Sequence, residues 1–169
     1  RSFSSLSNYE EERAKTLEEI ETAYKKALEI FGQNDFINAE QELIKVLRPV
    51  LSKSEMKSLY IDVEDVREET LNAMYHLGLI YLNSSYFNNH AKAAAIFQYC
   101  AAFSKEYKVS LKLNNDTLGN QEFFIRQAHL VENRLCGDRG LKLDDRLVQS
   151  LQYKKELEWF RNTIKHELE

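Results

Sequence analysis

The sequence predicts an all-α fold of about six helices, paired antiparallel and stacked as an α-solenoid. Three observations predict it. Helix breakers are few: the 169 residues contain one proline, Pro49, and five glycines. Apolar residues recur at helical spacing along most of the chain. The helical stretches also come in pairs, with a tight turn inside each pair and a longer connection between pairs. That is the rhythm of helix–turn–helix units, which bury their faces only by stacking on neighbours. With 43% hydrophobic and 30% charged residues the chain is globular and long enough for one core. It reads as a single helical-repeat domain over residues 1–169, with pairs at about 8–52, 64–107 and 120–169. Because it begins "RSFSSLSNYEEE" and stops at "IKHELE" inside a helical pattern, it is expected to be part of a longer protein.

The first helix is expected from Asn8 to Phe31, with Leu17, Ile20, Tyr24, Ala27, Leu28 and Phe31 on one face. Asn8 followed by three glutamates supplies an N-cap and favourable first-turn charge. "GQND" at 32–35 is the turn. The second helix, about 36–52, carries Phe36, Ala39, Leu43, Val46, Leu47 and Val50, and Pro49 should stop or kink it. "SKSEMKSLYIDVED" at 52–65 is too polar for a core element and reads as a loop with one short turn. The third helix, about 64–83, becomes apolar all round after Ala73, which implies burial on more than one side. "NSSYFNN" turns the chain into an alanine-rich fourth helix, about 88–107. Residues 109–120 read as a second loop, followed by a fifth helix to about 136. "CGDRGLKLDD" breaks it, with Gly137 and Gly140 as C-terminal punctuation. Asp144 can cap a last helix bearing Leu147, Leu151, Leu157, Trp159, Phe160, Ile164 and Leu168. That helix can serve as a cap on the stack, a coiled coil or a partner-binding helix.

Net charge is −4 but unevenly spread. Residues 1–70 hold 16 acids against 10 bases, residues 71–119 hold 2 against 4, and residues 120–169 hold 9 of each. No segment is basic enough for a nucleic-acid footprint, whereas the acidic first part would meet a basic partner or simply solvate helix faces. No run approaches the roughly 18 apolar residues of a membrane span, so none is expected. Cys100 and Cys136 are too few for a disulfide framework, and both sit among apolar residues. They read as reduced thiols in an intracellular compartment, cytoplasm or nucleus. "NSS" at 83–85 and "NDT" at 115–117 match the glycosylation sequon without a signal peptide beside them.

Residues 71–104 resemble a tetratricopeptide repeat or the related Sel-like repeat. Leu77-Gly78 stands at the position of their Leu-Gly pair, Tyr81 at their aromatic position, and Ala94, Phe97, Ala101 and Ala102 follow the rhythm of their second helix. Glycine and alanine at these places let helices approach closely while Phe97 fills the gap between turns. Ser84, Ser85, Asn88 and Asn89 stand where Sel-like repeats place glycines, and a tetratricopeptide turn would be shorter. Residues 20–53 are similar more weakly, through Ala27, Asp35-Phe36, Ala39, Leu43 and Val46, with Lys26 at an apolar position of the family. The resemblance implies a right-handed superhelical stack whose first helices line a concave groove. Carried over by position, the groove residues are Glu21, Tyr24, Leu28 and Phe31 in the first pair. In the second they are Asn72, Tyr75, Leu79, Leu82 and Asn83. Leu28 and Leu79 stand where a carboxylate clamp would need polar groups, so no such clamp is expected.

Candidates for chemistry are sparse. His129 and Glu132 form H-x-x-E on one helix face, the reverse of the order used in bundle metal sites, with no second copy. His76 lies beside the Leu-Gly pair. Cys136, between Arg134 and Arg139, falls at a helix C-terminus, where the dipole raises rather than lowers a thiol pKa. The acidic run "YIDVEDVREE" lacks EF-hand spacing. The sequence therefore predicts no enzyme, no metal and no cofactor. It predicts a scaffold that binds a protein or peptide through its groove within a larger assembly. The alternative is a helical accessory or substrate-recruiting domain of a larger enzyme.

Overall fold

The structure is a computed structural model that describes residues 3–51, 62–84 and 87–137. These residues are mostly helical, in the order α1 (Phe3–Gly32), α2 (Phe36–Leu51), a 3-10 turn (Val63–Val66), α3 (Arg67–Leu82), α4 (Phe87–Tyr107), β1 (Leu111–Lys112), a second 3-10 turn (Asn114–Asp116), β2 (Leu118–Gly119) and α5 (Gln121–Gly137). Gly137, expected as punctuation, is the last residue of α5, while residues 138–169, with Gly140, Asp144 and the expected last helix, lie outside the described residues. The chain divides into two compact units, one extending to Ala73 and the other beginning at Met74.

In the first unit α1 begins earlier than expected. Asn8 lies inside the helix rather than at its cap, because nothing in "FSSLSN" breaks a helix. The stop after α1 has two parts. Gly32 is still helical, and it is Asn34 that takes the left-handed conformation, at φ 62°. Asn34 N–H then donates to the Phe31 carbonyl at 3.0 Å and Asp35 N–H to the Ile30 carbonyl at 3.3 Å, the hydrogen bonds of a Schellman stop. Asp35 caps α2 by accepting from the backbone and side chain of Asn38 at 3.4 and 2.7 Å. Across this turn the rings of Phe31 and Phe36 meet at 5.4 Å between centroids. Ile20, Ala27, Ala39, Leu43, Val46 and Leu47 form the buried seam between α1 and α2. α2 runs through Pro49 to Leu51 instead of stopping at it. In the last turn of a helix, the missing N–H removes one bond and leaves the rest of the ladder intact.

The 3-10 turn before α3 explains most of the acidic run. Asp62 caps it by accepting from Glu64 N–H at 3.2 Å, Glu64 pairs with Arg67 at 3.2 Å, and Asp65 pairs with Arg13 of α1. Val63 and Val66 face inward, and the Thr70 hydroxyl donates to the Val66 carbonyl at 2.7 Å.

In the second unit α4 packs along α5, and Ala91, Ala93, Ala94, Phe97, Ala128 and Val131 form one buried cluster. The stretch expected as a loop over 109–120 is more ordered than that. β1 pairs antiparallel with β2, Leu111 opposite Gly119 and Lys112 opposite Leu118, around the second 3-10 turn. Val109 and Leu111 are buried there, so their apolar side chains anchor the hairpin. Lys108, at φ 51°, ends α4, with Val109 N–H donating to the Ser104 carbonyl. Asn120 caps α5 by accepting from Phe123 N–H at 3.1 Å.

Candidate functional site

The groove candidates of the first unit lie on α1 and the start of α3. Ile20 and Ala27 point into the core, and the flanking stripe of Leu17, Glu21, Tyr24, Leu28 and Phe31 recurs at helical spacing beside them. Glu21 is exposed and pairs with Lys25 at 3.1 Å, while Leu17, Tyr24, Leu28 and Phe31 each keep part of their surface open to solvent. Tyr24 is held from outside its own helix: Asn72 Nδ2 donates to its hydroxyl oxygen at 2.6 Å. Burial raises the Tyr24 pKa above its ordinary value, and Glu69 and Glu68 add to the rise against the lowering by the Asn72 hydrogen bond. Tyr24 and Asn72, both groove candidates by position in the sequence, are brought together.

The candidates of the second unit are engaged by the chain's own α4 and α5. The Tyr75 ring lies 6.1 Å from Phe97, 6.1 Å from Phe123 and 5.8 Å from Phe124, with His76 edge-on at 5.6 Å. Leu79 and Leu82, with Tyr81, pack partly buried against the alanine cluster of α4 and α5. Asn83 is exposed at the end of α3, its N–H donating to the carbonyls of Leu79 and Ile80. The rings of Phe123 and Phe124, which meet each other at 5.3 Å, complete this aromatic cluster. Their position against Tyr75 is not legible in the sequence, because adjacent aromatics on a helix do not reveal which neighbour they face.

Among the described residues no group of histidine, cysteine, aspartate and glutamate side chains converges as a metal site. His129 is exposed. Glu132 is partly buried, which raises its pKa, and His129 opposes that rise. Cys100 is fully buried, and desolvation pushes its thiol far above the ordinary range. Cys136 falls in the last turn of α5, at the negative end of the helix dipole. No described helix is long and apolar enough to cross a membrane. Comparisons with protein-family models, with characterised proteins and with solved structures found no match.

Proposed function

We propose that this chain is a non-enzymatic helical-repeat scaffold, a right-handed superhelical stack of helix pairs that binds a protein or peptide segment within a larger assembly. The observation that carries this reading is the 2.6 Å hydrogen bond from Asn72 to Tyr24. It ties α1 to the start of α3, which supports a reading in which the first helices of successive pairs lie side by side along a groove. The stripe of Leu17, Tyr24, Leu28 and Phe31 offers partly open aromatic and aliphatic surface there, suited to an extended or helical segment. Close packing of Gly78 on Phe97, and the buried Ala94 and Ala101, support the repeat reading in the second unit. The face around Tyr75 and Leu79 is covered by α4 and α5, so the binding surface proposed is that of the first unit.

A photo-crosslinking amino acid placed at Glu21 or Leu28 tests this in cells. The expected result is a protein adduct from these two positions and none from Ile37, an exposed residue of α2 outside the stripe. Adducts from Ile37 alone would overturn it.

A further inference from the structure

The first unit is strongly acidic. Its described residues with placed side chains before Ala73, positions 8–50 and 62–73, hold 15 acids against 7 bases, whereas the whole chain is only −4. Five of those bases are already engaged: Arg13 with Asp65, Lys25 with Glu21, Lys26 and Lys45 with Glu42, and Arg67 with Glu64. Glu68 and Glu69, in the first turn of α3, precede Asn72 by four and three residues and so share the helix side from which Asn72 reaches the Tyr24 hydroxyl of α1. One face thus combines an apolar strip with an acidic rim. Such a pairing is complementary to a helix with an apolar stripe flanked by lysine and arginine. An acidic segment would bring like charges against the rim and a neutral one would gain no attraction from it, so the charge discriminates between occupants as well as attracting one.

We infer that the segment bound on the α1–α3 face of the first unit is a basic amphipathic helix of a partner protein. The inference rests on the groove reading above and names the chemistry of its occupant. A fluorescein-labelled amphipathic peptide, with lysines and arginines flanking a leucine stripe, is titrated with the full chain by anisotropy. A second peptide has the same leucines and glutamates in place of the bases. The basic peptide should bind about 10-fold or more tightly than the acidic one, and salt should weaken it. Glu68→Gln with Glu69→Gln should weaken it about 5-fold or more, while Glu10→Gln with Glu11→Gln, an equal loss of charge elsewhere on α1, should change it less than about 2-fold. Circular dichroism melts confirm that both double variants fold, and the Asn72 side-chain amide signal in nitrogen-15 spectra should shift on binding. Equal weakening by the two double variants would overturn the inference, since attraction would then be diffuse. Tighter binding of the acidic peptide with the Asn72 signal shifting would overturn the basic chemistry and leave the groove standing. Binding of neither peptide would also overturn the basic chemistry, while the crosslinks from Glu21 and Leu28 decide the groove independently.

Discussion

Gly78 of α3 faces the ring edge of Phe97 of α4 so closely that a Cβ at Gly78 would lie 2.6 Å from Phe97 Cε1. Phe97 is fully buried and rigid as a ring, so it cannot yield as the end of a flexible side chain would. An alanine at position 78 would ordinarily stabilise a helix by up to about 1 kcal/mol. Here the steric term dominates. Gly78→Ala should lower stability by about 1–3 kcal/mol and Gly78→Leu by more. Urea unfolding measures it, and Phe97→Leu in the Gly78→Ala background should cost less than the sum of the two single changes. Additive effects would show that the two residues do not share this contact.

The turn between α1 and α2 gives the opposite sign for a glycine. Gly32 is helical, and a Cβ there would meet no atom within 4 Å. Gly32→Ala should therefore stabilise the chain by about 0.5–1 kcal/mol, largely by restricting the unfolded state. Asn34 holds the left-handed position, so Asn34→Val should destabilise by about 1–2 kcal/mol while Asn34→Gly is tolerated. Thermal melts of the three variants separate the two roles. Loss of stability in Gly32→Ala would place the special backbone position at 32 after all.

These two positions show what the sequence reveals and what it hides. The Leu77-Gly78 and Ala94, Phe97, Ala101 spacing is legible because a small residue opposite a large one is a local pattern repeated at helical intervals. "GQND" is legible as a turn, but not which of its residues bends, since glycine and asparagine both tolerate positive φ. The start of α1 is misread at Asn8 because a cap and a tolerated polar interior residue look alike in sequence. The hairpin at 111–119 is hidden because two-residue strands have no periodicity to read. Of the candidate site, the positions follow from helical spacing, but the tie between Tyr24 and Asn72, 48 residues apart, comes only from packing. So does the covering of Tyr75, Leu79 and Leu82 by side chains of α4 and α5.

Two half-buried tyrosines contribute to the alkaline limit of stability. Burial raises the pKa of both Tyr24 and Tyr75 above the ordinary value of 10.0. The folded state then holds these protons to higher pH than the unfolded chain. Their contribution is fully present below pH about 10 and is lost as pH rises through the folded values. Stability should therefore fall above pH about 10, and ultraviolet titration should show tyrosines ionising later in the native protein than in urea. Tyr24→Phe should remove part of that delay. It should also cost about 0.5–1.5 kcal/mol near neutral pH, because the Asn72 amide loses its acceptor. If the component lost in Tyr24→Phe titrated near the ordinary value rather than late, Tyr24 would be solvated like an exposed phenol.

Cys100 provides a probe of the core of the second unit. It lies on α4 with no exposed surface, one turn from Phe97, and burial pushes its thiol well above the ordinary range. Both effects suppress the thiolate that alkylating reagents require. In the native chain Cys100 should react with a maleimide only through opening of this unit, so mass spectrometry of tryptic peptides should find it unlabelled. Labelling should rise with urea along the unfolding transition. In Gly78→Ala it should rise at lower urea, because the clash with Phe97 weakens the packing that shields the sulfur. Fast labelling of Cys100 without denaturant would show that the core around Phe97 opens readily, and the close approach of α3 and α4 would then not be what holds this unit together.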